Sequence, residues 1–167
     1  MKNFLSILFC TLFLLTCSSG NIKKENTAPR FNFDSYISSS FEEIVRLTDG
    51  VDAEKDPGLS IFTNKYKIQM KWSDFPKGIS NDSQGSAELI GKFINLDPKF
   101  IELFQHELTL TVKKKKFVLL FQRNLVPFLH EEVKKGEPIT LFVFFGGYNT
   151  FGKEHTLFVN EFKAGKE

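Results

Sequence analysis

Lys65-Tyr66-Lys67-Ile68-Gln69-Met70-Lys71-Trp72 decides the fold class. One parity carries Tyr66, Ile68, Met70 and Trp72; the other carries Lys65, Lys67, Gln69 and Lys71. Side chains of a strand alternate between its two faces, so this stretch has one dry face and one wet face. Such a strand belongs to an antiparallel sheet or barrel rather than to a fully buried parallel sheet. Further strand patterns follow at Leu108–Val112, Phe117–Phe121, Ile139–Phe145 and His155–Phe162. The apolar parity flips across Lys113–Lys116, which demands a hairpin tip or a β-bulge there. An exposed turn or a protected edge is the ordinary use of such a lysine run.

Helical signals lie between the strands. Ser40-Phe41-Glu42-Glu43 has the pattern of a capping box, with Phe41, Ile44 and Val45 at helical spacing and Gly50 closing the far end. Asp97-Pro98 opens a second helix that carries Phe100, Ile101 and Phe104. Asn124–Lys135 gives a third, with Pro127 early and Gly136 just beyond its end. Ser73–Ser86 is rich in Ser, Gly, Asn, Asp and Pro and reads as a long loop, followed by a short strand over Ala87–Ile94. The expected class is α+β and mainly antiparallel β: a small barrel with two or three short helices.

The helix 125–135, the link Lys135-Gly136-Glu137-Pro138-Ile139 and the closing strand Leu157-Phe158-Val159 carry a resemblance to the OB-fold. That fold is a partly open five-stranded barrel with a helix between its third and fourth strands. The likeness spans less than a third of the chain. It implies topology, and it nominates no binding residue.

The N-terminus gives an address. Lys2 is followed by an almost wholly apolar Phe4–Leu15 and then Leu14-Leu15-Thr16-Cys17-Ser18-Ser19-Gly20. The layout is secretory, and the apolar run is too short for a stop-transfer helix. Leu15-Thr16-Cys17 resembles the lipobox of bacterial lipoproteins, in the looser form of spirochaete-type examples. The resemblance implies cleavage before Cys17, removal of residues 1–16, and attachment of a diacylglycerol and palmitate-like acyl chains at Cys17. It also implies residence in the bacterial cell envelope, at the outer membrane. Residues 17–36 are polar and read as a flexible tether, leaving 37–165 as one globular domain.

Charge and cysteine usage narrow the function classes. The two cysteines, Cys10 and Cys17, both lie in the N-terminal segment, so no disulfide can staple the domain. From Cys17 onward, 21 Lys and Arg face 20 Asp and Glu. That +1 balance argues against nucleic acid as a partner, even through an OB-like face. Phe is the outlier of the composition, at 20 residues, and its usual place is the core.

No catalytic constellation is legible. His106-Glu107 and His130-Glu131-Glu132 each pair His with Glu, but no second His follows at the helical spacing of a zinc hydrolase. Solvated histidines are the expected reading of His106, His130 and His155. Asp52, Glu54 and Asp56 are spaced like the start of a calcium loop, without its Gly or distal Glu. No cofactor and no metal is implied. A hydrolase with an unfamiliar site around His130 and Glu131 is the alternative of a different class, and a structural envelope role is another.

One stretch suits binding. In Ile139–Phe145 both parities are apolar. Ile139, Leu141, Val143 and Phe145 can fill a core, while Phe142 and Phe144 need a cover, supplied by helix 41–48 or the segment around Phe100. Left uncovered, Phe142, Phe144 and Phe158 form an apolar interaction patch. The expectation is a non-catalytic, lipid-anchored domain that meets the membrane through its lipid and binds an envelope protein or a host ligand.

Overall fold

A computed structural model describes residues 31–51 and 57–165. The lipobox, Cys17, most of the expected tether and the acidic triplet of residues 52–56 lie outside the described residues. Strands β1 (Ile37–Ser39), β2 (Leu59–Ile61), β3 (Lys65–Lys71), β4 (Lys77–Gly78), β5 (Phe104–Val112), β6 (Lys115–Gln122), β7 (Pro138–Asn149) and β8 (Glu154–Ala164) form one sheet. Helices α1 (Phe41–Thr48), α2 (Asn81–Phe93), α3 (Pro98–Ile101) and α4 (Val126–Glu132) complete the α+β domain.

The sheet runs β1-β3-β7-β8-β6-β5-β4, with β2 also pairing β7. Most neighbours are antiparallel; β1–β3 and β6–β8 are parallel. No ladder joins β1 to β4 among the described residues, so the sheet is open. Lys113 and Lys114, both with positive φ, make the two-residue tip of the β5–β6 hairpin. That tip accounts for the parity flip seen in the sequence.

Both faces of the sheet carry an apolar cluster, while Lys65, Gln69 and Lys71 of β3 stay exposed. On one, α1 and α4 cover Ile68, Leu119, Phe121, Leu141, Phe145 and Val159. Ser40 caps α1 as expected: its hydroxyl accepts from the Glu43 N–H, and the Glu43 carboxylate accepts from the Ser40 N–H. On the other face, α2 and α3 bring Ala87, Ile90 and Ile101 onto Phe104, Val118, Leu120 and Phe158.

The second face holds the main correction to the sequence reading. Residues 81–93 form a helix where a loop and a strand were expected. Ser80 caps it by accepting from the Ser83 N–H, and the buried Glu107 of β5 accepts from the Ser80 N–H at 3.2 Å and its hydroxyl at 3.0 Å. Burial pushes the Glu107 carboxyl up, but hydrogen bonds from Ser83 and Ser80 and the nearby Lys77 ammonium outweigh it. They hold the group below the usual carboxylate range. β7 runs past the expected strand end at Phe145 and takes in Gly146 and Gly147. A Cβ at Gly146 would sit 2.6 Å from the Phe158 ring and 3.1 Å from Ile90, so glycine there admits α2 to close packing.

Candidate functional site

Phe142, Phe144 and Phe158 do not form an exposed patch. Phe142 is 1% and Phe158 0% exposed, and Phe144 packs partly buried against the α2 side. Their cover comes from two places. The Phe33 and Tyr36 rings meet Phe142 edge-on at 4.8 and 5.4 Å. Phe104, itself against Phe100, meets Phe158 at 5.0 Å. The segment around Phe100 thus covers as expected, whereas α1 lies on the opposite face, with Phe41 against Phe117. Phe33–Tyr36, read as the end of the tether, packs as part of the fold.

The histidines stand apart from one another. His130 is exposed and stacks on Phe75 at 4.2 Å, beside an exposed Glu131. His106 pairs with Gly78 on β4. Among the described residues, no three His, Cys, Asp or Glu side chains converge as metal ligands would.

His155 departs furthest from the solvated reading, at 0% exposed. Its ring lies flat on Phe117 at 4.3 Å, with Tyr148 and Phe145 around it. Nδ1 faces the Lys116 carbonyl at 3.3 Å, and Nε2 faces the Thr48 hydroxyl at 2.8 Å. The carbonyl only accepts, which assigns the neutral ring's proton to Nδ1 and leaves Nε2 to accept from Thr48. Burial drives its pKa down to about 4; the Lys116 carbonyl opposes that, the Lys115 ammonium adds to it and Asp49 opposes it. Lys115 donates to the Tyr148 hydroxyl at 2.9 Å. A neutral, fully hydrogen-bonded imidazole among aromatic rings is a core group, with no route for a substrate.

A cleft of about 600 Å³ between α2, α3 and the start of β5 has room for a ligand. Ala87, Gly91, Ile101 and Phe104 form its walls. Gln84, Glu88, Lys92 and Glu102 stand around it as polar groups. Ligand pockets commonly enclose about 300–1,000 Å³, with apolar walls and a few polar groups that fix orientation. Asp97 caps α3 by accepting from the Lys99 N–H, and α3 packs on α2 through Ile101, which a Cβ at Gly91 would meet at 2.9 Å. The sequence reading missed this site because it placed no helix at 81–93. The clue it held was Ala87, Ile90 and Gly91 at helical spacing.

No protein-family model matches the chain, and no curated protein matches it either.

Proposed function

We propose that this chain is a lipid-anchored protein of a bacterial envelope whose non-catalytic domain binds a small apolar or amphipathic molecule in the α2–α3–β5 cleft. The cleft carries the binding half of this reading: its volume and apolar walls suit a ligand, and its polar groups suit the head of an amphipathic one. The anchoring half rests on the sequence from Lys2 to Cys17. Acyl chains at Cys17 contribute about 0.8 kcal/mol per buried CH₂, and two or more hold a protein stably at a bilayer. An OB-like relationship is supported by the order β6–α4–β7–β8 and bears on the fold rather than on the ligand.

Two measurements test the two halves. Intact mass of the protein extracted from its native membrane should equal residues 17–167 plus acyl chains, and Cys17→Ala should abolish the addition. Full-length protein should bind a polarity-sensitive fluorescent fatty acid saturably. Gln84→Trp, on the exposed surface of α2 beside the cleft, should weaken that binding at least tenfold without unfolding the domain. Binding that is absent, or equal in both proteins, removes the cleft from the function and favours a structural envelope role.

A further inference from the structure

The β5–β6 and β7–β8 hairpins end side by side. β6 and β8 are parallel neighbours with Lys116 opposite Glu154, and the Lys116 N–H donates to the Lys153 carbonyl at 3.1 Å. The β7–β8 tip is held in shape from within: the Asn149 side chain accepts from the Phe151 and Gly152 N–H groups at 3.0 and 3.3 Å. Thr150 ties the same tip to Gly58 through reciprocal hydrogen bonds. This scaffold presents Phe151 to solvent at 75% exposure, the highest among the exposed large apolar side chains of the described residues.

Among the described residues, the exposed side chains around Phe151 are cationic. Lys113, Lys114 and Lys153 are exposed at the two tips. The acids that the described residues bring here are already engaged: Asp49 lies 3.9 Å from Lys115, and Glu154 pairs with Lys116. Residues 52–56, with three acids and one lysine, lie outside the described residues. The three tip lysines also sit at φ of 48°, 63° and 49°, left-handed positions that Gly or Asn fill at lower cost.

We propose that this double-hairpin end docks on an anionic phospholipid surface. Phe151 inserts at the headgroup–acyl boundary, while Lys113, Lys114 and Lys153 lie on the phosphates. An aromatic side chain within a cationic collar matches that interface in both polarity and charge. The proposal goes beyond the ligand reading and does not depend on it.

The test reads depth directly. Phe151→Trp in the full-length protein, with the unsubstituted protein and its buried Trp72 as the blank, is added to vesicles containing 30% phosphatidylglycerol and brominated lipid. Fluorescence of the introduced indole should be quenched and blue-shifted there, and much less so on phosphatidylcholine vesicles. Replacing the collar by Lys113→Asn, Lys114→Gly and Lys153→Gly should abolish the quenching, at roughly fivefold in occupancy per lysine, while leaving the thermal midpoint unchanged or raised. A water-like, unquenched indole at the tip of vesicle-bound protein overturns the proposal. So does quenching that survives the collar replacement, or binding of an anionic polymer such as heparin with none of vesicles. An unmodified Cys17 refutes the anchor alone, because tip insertion is still read by the same quenching.

Discussion

Acid should weaken this domain through His155 before it titrates most carboxylates. In the unfolded chain the imidazole has its ordinary pKa of about 6.5; in the fold it is driven down to about 4. Between those values the unfolded state binds a proton that the folded state refuses, so stability rises with pH across that window. The contribution is complete above roughly pH 7 and is lost as the pH falls through the folded value. At about 1.36 kcal/mol per pH unit, the displacement is worth about 3 kcal/mol. A domain with a stability of about 5–15 kcal/mol feels such a loss strongly. Burial is the main reason the ring stays neutral: the Lys116 carbonyl opposes it in part, the Lys115 ammonium adds to it, and Asp49 opposes it weakly. Thr48 and the Phe117, Phe145 and Tyr148 rings close the rest of the site. Urea unfolding at pH 7.5, 6, 5 and 4 should show the native protein losing about 3 kcal/mol more than His155→Gln over that range. Parallel losses in the two proteins would refute the reasoning, as would an imidazole NMR titration near 6.5.

Three further outcomes follow from the packing. Gly146→Ala places a Cβ 2.6 Å from the Phe158 ring and should destabilise by about 1–3 kcal/mol, visible as a lower urea midpoint and weaker protection of the α2 amides. Glu107→Ala removes the acceptor for both Ser80 donors at the start of α2. It should cost about 1–3 kcal/mol and lower the affinity of the cleft for the fluorescent fatty acid, since α2 is one wall. Ser40→Ala breaks the capping box of α1 and should cost about 1 kcal/mol, measured by thermal unfolding, with cleft binding unchanged.

Much of the fold was legible because local pattern and tertiary environment agree. The alternation around Ile68, the capping box at Ser40 and the parity flip at Lys113–Lys116 each reappear where expected. Residues 81–93 failed for the opposite reason. Two glycines and several polar residues give that stretch weak intrinsic helix propensity. Its helix forms because Glu107, distant in sequence, anchors the first turn and because Ile90 finds room over Gly146. Neither fact is local. The cleft was invisible in consequence, since a loop has no side wall, and Phe142 and Phe158 lacked a known cover. His155 was misjudged because burial at a strand end depends on what closes over it, here α1 and two aromatic strands.

The order of the sheet sets a schedule for assembly. Its two central strands, β7 and β8, come from residues 138–164, while their neighbours β3 and β6 precede them in the chain. As the chain is delivered N-terminus first, the strand β3 and the β5–β6 hairpin emerge with nothing between them. A parallel β6–β8 ladder further delays closure, because its partners are joined through α4 and β7. Non-local pairing of this kind slows folding and leaves strand edges open in the meantime. The strands β1 to β6 must therefore wait, unsealed, for β7 and β8, and a holding chaperone would find its substrate in that interval.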